Sequence, residues 1–171
     1  KYALFPFGSG DVFAVFRKVG LPSWNSVLSG ARLGRSAGYV QDVTGQPVID
    51  SDLVYLSNSA GRMAALDLKT GQRKWTSNQG SQGDILTAGP SVFFVSDENK
   101  LIRLSKLDGS IIWSNQLPHF TKKSLKRRTD IFAHYGPILA GGRLIVASSD
   151  RILREFDPAD GTLISSSRLL Y

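Results

Sequence analysis

The sequence says one phrase four times, with decreasing fidelity. The fullest version is Ala65-Leu66-Asp67-Leu68-Lys69-Thr70-Gly71-Gln72-Arg73-Lys74-Trp75. Its skeleton is an alanine, a glycine six residues on and a tryptophan four beyond that. Ala14, Gly20 and Trp24 keep the skeleton whole. Gly109 and Trp113 keep its second half, with Arg103 in the alanine's place. Asp157 and Gly161 keep the aspartate and the glycine, with Ser165 where the tryptophan should stand. The glycines at 20, 71, 109 and 161 are 51, 38 and 52 residues apart. A repeat of about forty residues with a regular glycine and a regular aromatic is the pattern of β-propeller blades. The expected fold is therefore all-β, a β-propeller fragment of about four four-stranded blades.

Each repeat divides into short runs rich in Val, Ile, Leu, Phe and Tyr, separated by clusters of Gly, Asp, Asn and Ser, which is how strands and turns read. In the second repeat the runs are 46–49, 53–57, 63–68 and 73–77. In the third they are 84–88, 92–95, 101–105 and 111–115, and in the fourth 132–139, 143–147, 152–156 and 162–166. The first repeat has only 2–7, 12–16 and 22–27, so its innermost strand is missing. The blades then occupy about 1–30, 46–78, 84–117 and 131–169, joined by long connections at 30–45 and 117–130. No stretch has the spacing of an amphipathic helix. Propeller sheets bury both faces against neighbours, so an arc of four leaves two faces bare. The expectation is that the chain is a piece of a longer polypeptide, or that its ends pack on another molecule.

The repeated residues have structural jobs. The glycine falls in the hairpin between a blade's third and fourth strands, where a positive φ is wanted. Trp24, Trp75 and Trp113 sit on outer strands at a fixed period, which points to packing on the neighbouring blade before ligand stacking. Asp67 and Asp157 are expected to bond nearby turn backbone. Gly8-Ser9-Gly10 and Gly141-Gly142 read as hairpin turns; no helix follows either, so neither is a phosphate loop.

Composition narrows the chemistry. With 42% hydrophobic and 20% charged residues the chain has the make-up of a folded domain, and no apolar run approaches the length of a membrane span. The absence of cysteine removes disulfides, thiolate metal sites and thiol catalysis. His119 and His134 have no metal-ligand spacing with each other or with carboxylates. No residue is assigned to catalysis, to a cofactor or to a metal. The net charge is +7, and Lys122, Lys123, Lys126, Arg127 and Arg128 crowd into one connection. The run reads first as a solvated loop. An acidic protein partner or an anionic lipid surface is a second reading. A nucleic-acid site would want interleaved aromatics and a recognisable motif, and neither is present. Both long connections follow an outer strand and precede an inner one, so they emerge on one rim, and insertions confined to one face often mark a binding surface. The connection at 78–83 reads as a plain turn.

The phrase Ala-x-Asp-x-x-Thr-Gly-x-x-x-Trp resembles the tryptophan-docking repeat of quinoprotein-type propellers. Within that group the chain is similar to the BamB family, propeller lipoproteins of the outer-membrane β-barrel assembly machinery. Asp42-Val43, Pro47-Val48, Leu53-Val54-Tyr55, Gly61, Ala65-Leu66-Asp67, Gly71 and Trp75 carry the densest part of the likeness. Val95-Ser96-Asp97-Glu98-Asn99, Gly109, Trp113, Gly136-Pro137-Ile138-Leu139, Gly142-Arg143-Leu144 and Gly161 continue it. The resemblance implies an eight-bladed ring in the periplasm, at the inner face of the outer membrane, of which this chain is the latter part. It implies a scaffold and not an enzyme, without a cofactor, held to the membrane only through a lipid tether upstream of this chain. It implies binding to a POTRA domain of the BamA barrel subunit, alongside other members of the machinery, with unfolded outer-membrane proteins as clients and no nucleic acid. The family's Asp-Val-Asp contact maps to Asp42 and Val43, with Thr44 in place of the second aspartate. Asp42 has a commoner alternative use, capping a turn. Two rival readings stand beside this one. The first is a segment of a pyrroloquinoline-quinone-dependent dehydrogenase, which shares the repeat but needs a calcium site, an aspartate base and often adjacent cysteines. The second is an unrelated propeller interaction or sensor domain.

Overall fold

The computed structural model describes residues 1–28, 43, 45–81, 83–121 and 130–170. These form strands and turns, with no helix among the described residues. The first sheet holds β1 (Tyr2–Pro6), β2 (Asp11–Phe16) and β3 (Pro22–Val27). The second holds β4 (Val48–Asp50), β5 (Leu53–Asn58), β6 (Arg62–Asp67) and β7 (Arg73–Ser77). The third holds β8 (Leu86–Ala88), β9 (Ser91–Val95), β10 (Lys100–Ser105) and β11 (Ile111–Gln116). The fourth holds β12 (His134–Ala140), β13 (Arg143–Ser148), β14 (Ile152–Phe156) and β15 (Leu163–Arg168). Every sheet is an antiparallel meander in sequence order, and the first has three strands where the others have four. This is the expected arc of propeller blades, and among the described residues the first blade has no inner strand.

The repeated phrase is one local device. Ala14 and Trp24 are register partners across β2 and β3, as are Ala65 and Trp75 across β6 and β7, and Arg103 and Trp113 across β10 and β11. Immediately after each pair the register slips by a bulge, and the fourth blade slips in the same way after Glu155 and Ser165. The hairpin that follows turns through a glycine at φ 69° to 79° in all four blades, a conformation that a side chain bearing Cβ resists. The bulge and the left-handed glycine together set the angle of the outer strand.

The inner strands begin later than their apolar runs suggest. Runs 46–49, 84–88 and 132–139 become Val48–Asp50, Leu86–Ala88 and His134–Ala140. An inner strand has one neighbour, so it lasts only as long as the second strand faces it; β4 pairs at just Val48–Tyr55, Ile49–Val54 and Asp50–Leu53. Residues before it are held by packing or by single bridges, as with buried Ile85 and the Ser81–Ser96 bridge.

Among the described residues, three cores lie between the blades, one at each junction. Val12, Leu28, Val54, Leu56, Ala64 and Leu66 fill the first. Tyr55, Met63, Trp75, Phe94, Ile102 and Leu104 dominate the second. Phe93, Leu101, Leu117, Leu144, Val146 and Phe156 make the third. The two middle blades are therefore buried on both faces: β9 is buried at every residue, whereas β2 in the first blade alternates.

Candidate functional site

The tryptophans work between blades. Trp24 Nε1 donates to the Leu68 carbonyl at 2.9 Å, Trp75 Nε1 to Lys106 at 2.8 Å and Trp113 Nε1 to Pro158 at 3.2 Å. Each indole lies against the next blade's repeat glycine. A Cβ on Gly71 would stand 2.5 Å from Trp24, and one on Gly109 2.5 Å from Trp75. Gly161 is closed off in the same way by Trp113 at 2.8 Å. The glycine thus serves twice, for its φ and for its missing side chain. Asp67 shapes the same turn: its Oδ1 accepts the N–H groups of Lys69 and Thr70, both at 3.0 Å. These bonds, the Thr70 N–H first, hold its carboxyl below the usual range. Asp157 Oδ1 accepts the Ala159 N–H at 2.7 Å in the fourth blade. At the rim where β4 turns into β5, Lys106 is ion-paired with Asp50 across blades two and three, and burial pushes the Tyr55 hydroxyl behind them up to about 12.

The candidate binding surface is the opposite rim, where the second strand of each blade turns into the third. Among the described residues, the buried polar side chains Ser57, Asn58, Ser77, Ser81, Ser96, Asn99 and Ser148 collect at this end, with Ser91 at the other. The roots of both long connections sit here. Val43 forms an antiparallel bridge with Asn58 at the end of β5 and packs, partly buried, on the first inter-blade core. Asp42 lies outside the described residues, as do most of the 30–45 connection and the basic run Lys122 to Arg128. The residues that flank the basic run form a paired stem. Phe120 bridges Ile131, the Thr121 N–H donates to Asp130 at 3.0 Å, and the Phe132 N–H donates to His119 at 2.9 Å. Asn99 Nδ2 fixes the stem to the third blade through the Phe132 carbonyl at 2.9 Å. A cleft of about 310 Å³ opens beside the stem, lined by Val95, Ser96, Asp97, Asn99, Ile131 and His134 among others.

His134 is a structural histidine. Its Nε2–H donates to the Pro118 carbonyl at 2.9 Å, which leaves Nδ1 to accept from the Ser148 hydroxyl at 2.7 Å. Arg154 donates to the same hydroxyl at 3.0 Å and is paired with Asp150 at 2.5 Å. Burial, with the Arg154 charge nearby, lowers the His134 pKa. A histidine lowered in the folded state binds its proton more readily in the unfolded chain. Its neutral form is stabilising above the unfolded value of about 6.5, and that contribution is lost as pH falls toward the lower folded value. Wild-type protein is expected to lose more urea stability between about pH 8 and pH 5 than a His134→Gln variant does. Parallel pH profiles for the two proteins would show that His134 is not coupled to folding.

Among the described residues, no group of three or more His, Asp or Glu side chains is close enough to hold a metal ion. The rim offers strand ends with buried polar side chains, a cleft and a paired stem formed by the residues on either side of the basic run. That chemistry suits recognition of a protein surface. Sequence reasoning missed the buried serines and Asn58; at strand ends, such residues carry the same letters as ordinary turn residues.

The arc is that of a quinoprotein-like propeller. It superimposes on a europium-containing methanol dehydrogenase with a TM-score of 0.71 and 14% identity, covering 99% of this chain and 40% of that one. On BamB from Moraxella catarrhalis the TM-score is 0.76 with 17% identity, over 99% of this chain and 50% of that one. At such identities the likeness speaks for the fold alone. In sequence, the family model of outer membrane protein assembly factor BamB matches residues 1–115 and 87–164, and the chain belongs to that family. BamB of Salmonella typhimurium and BamB of Escherichia coli are each 26% identical over 161 residues, 94% of this chain and 38% of theirs. The chain thus spans less than two fifths of the length of these curated relatives.

Proposed function

We propose that this chain is a non-enzymatic arc of a BamB-type propeller, serving as a scaffold for outer-membrane protein assembly in the periplasm, at the inner face of the outer membrane. The rim of the long connections binds the POTRA region of a BamA-like barrel subunit, with Asp42 as the acidic contact beside Val43. Other members of the machinery and unfolded outer-membrane proteins are the further partners. The observation that carries the reading is the match of the BamB family model along residues 1–115 and 87–164. The rim position of Val43, next to Asp42 in sequence and bridged to Asn58, supports this surface as the contact.

In the full-length protein, Asp42→Arg is expected to weaken capture of the BamA periplasmic region by about 1–3 kcal/mol, the scale of a lost charged hydrogen bond. Thermal stability should be unchanged. A titration in which the variant matches wild type would take Asp42 out of the contact.

A further inference from the structure

The fourth blade carries an ionic cluster where the two blades before it carry apolar or small polar residues. Arg154 faces Val146 across β13 and β14, the register place that Ala64 holds opposite Leu56 and Ile102 holds opposite Phe94. Ala64 and Ile102 are fully buried in inter-blade cores. Arg154 is nearly as buried, with 11% of its side chain exposed, and is paired with Asp150, at 13%. His134 faces Ser148 in the place where Val43 bridges Asn58 and Ser81 bridges Ser96. A fold that fills these places elsewhere with alanine, isoleucine, valine and serine has no packing need for ionisable groups here.

The donors and acceptors of the cluster are determined by its chemistry. The Pro118 carbonyl only accepts, so His134 Nε2, 2.9 Å from it, carries a hydrogen, and Nδ1 accepts the Ser148 hydroxyl at 2.7 Å. The same hydroxyl oxygen accepts from Arg154 at 3.0 Å. Asp150 is taken up by Arg154 and by the Ile152 N–H at 3.0 Å. A proton on Nδ1 turns that nitrogen from acceptor to donor and sets an imidazolium beside the guanidinium on one shared oxygen. The charged groups around the ring are Arg154 on β14, Asp150 in the β13–β14 turn and His119 on the connection; of these, Arg154 and His119 oppose the added charge. His134 also lines the cleft of about 310 Å³, together with Asp97 of the third blade. Charge and space thus point the same way, out of the cluster and into the cleft. The bond given up on that path is the one to Pro118, at the outgoing root of the 117–130 connection. The next residue, His119, accepts the Phe132 N–H that closes the stem.

We propose that His134 is a pH-sensitive latch on that root: neutral, it holds the Pro118 carbonyl; protonated, its ring turns into the cleft and lets the root leave the fourth blade. Burial, and then the Arg154 charge, lower the pKa of the seated ring, whereas a ring released to water titrates at about 6.5. The latched state is therefore favoured above about pH 6.5 and is lost as pH falls toward the lower seated value. The stem on the rim loosens at mildly acidic pH, whatever partner binds there.

Amide hydrogen exchange of the full-length protein, read by mass spectrometry and corrected for the chemical exchange rate, tests the latch. Between about pH 7.5 and about pH 5, protection at 119–121 and 130–132 is expected to fall about tenfold, while β5, β6, β9 and β10 keep theirs. His134→Gln retains an N–H donor for Pro118 and does not titrate, so its stem should be equally protected at both pH values. Wild-type protection that does not change, a loss spread evenly over the whole chain, or an equal loss in folded His134→Gln overturns the proposal. If His134→Gln fails to fold, NMR of the wild type decides. The His134 ring nitrogens and the Thr121 and Phe132 amides should then titrate with one midpoint below about 6.5, and midpoints that differ sink the latch.

Discussion

Replacing Trp75 with alanine is expected to destabilise the fold by about 3–5 kcal/mol, the range for truncating a well-buried large aromatic. Trp75 is only 7% exposed and belongs to the core between blades two and three. Its ring meets Tyr55 at 5.9 Å between centroids, and its Nε1 donates to the Lys106 carbonyl at 2.8 Å. Truncation opens a cavity against Gly109, a residue with no side chain to fill it, and removes the donor from Lys106. Trp24 and Trp113 make the same kind of contact but are only partly buried, so alanine at either should destabilise less. Urea unfolding of the three variants checks both the size and the order. A Trp75→Ala loss under about 1.5 kcal/mol would mean that the junction is held by its other core residues.

The repeat was legible because the same physical problem recurs at each junction. A bulged hairpin must turn tightly and leave room for an indole, so glycine and tryptophan return at fixed spacing. Ala65, opposite Trp75, is part of that solution. The exceptions were visible as letters without their consequences. Arg103, in the alanine's place, reaches across to the fourth blade and donates to the carbonyls of Ala159 at 2.8 Å and Pro158 at 3.2 Å. Its guanidinium also lies 5.8 Å from the Phe93 ring centre, a cation–π contact. In the fourth blade, where the tryptophan is absent, Glu155 takes the alanine's place and pairs with Arg143 at 2.5 Å. The candidate contact was less legible. Nothing in the residue chemistry of Asp42 and Val43 separates them from an ordinary turn; the resemblance to a family brought them forward. Val43 is at the rim, while Asp42 and the basic run lie outside the described residues.

The connection at 78–83 gives the other large expected effect, and it is where apolar periodicity was least informative. It reads as a plain turn, yet it locks two blades together through backbone and small polar groups. Ser81 Oγ donates to the Val95 carbonyl at 2.9 Å, and the Ser81 carbonyl accepts from Ser57 Oγ at 3.2 Å. Ser81 also bridges Ser96, and the Gly80 carbonyl accepts the Asp97 N–H at 3.1 Å. For Gly80 to sit there it must press against the β5–β6 turn. A Cβ on it would stand 2.3 Å from the Asn58 carbonyl oxygen, 2.6 Å from Gly61 Cα and 2.7 Å from Gly61 N. All three atoms are backbone, so no rotamer change relieves the contact. The connection would have to lift and release the bonds that tie blade two to blade three. Gly80→Ala is therefore expected to destabilise by about 3 kcal/mol or more, at the upper end of overpacking effects. Gly83→Ala, three residues along, is the control: its Cβ would find its nearest neighbour at 3.9 Å, an ordinary contact, and its cost should stay within about 0.5 kcal/mol. Thermal and urea unfolding of the two variants separate the possibilities. If Gly80→Ala unfolds where Gly83→Ala does, the connection can lift without loss, and the buried serines on this rim do not hold the blades together.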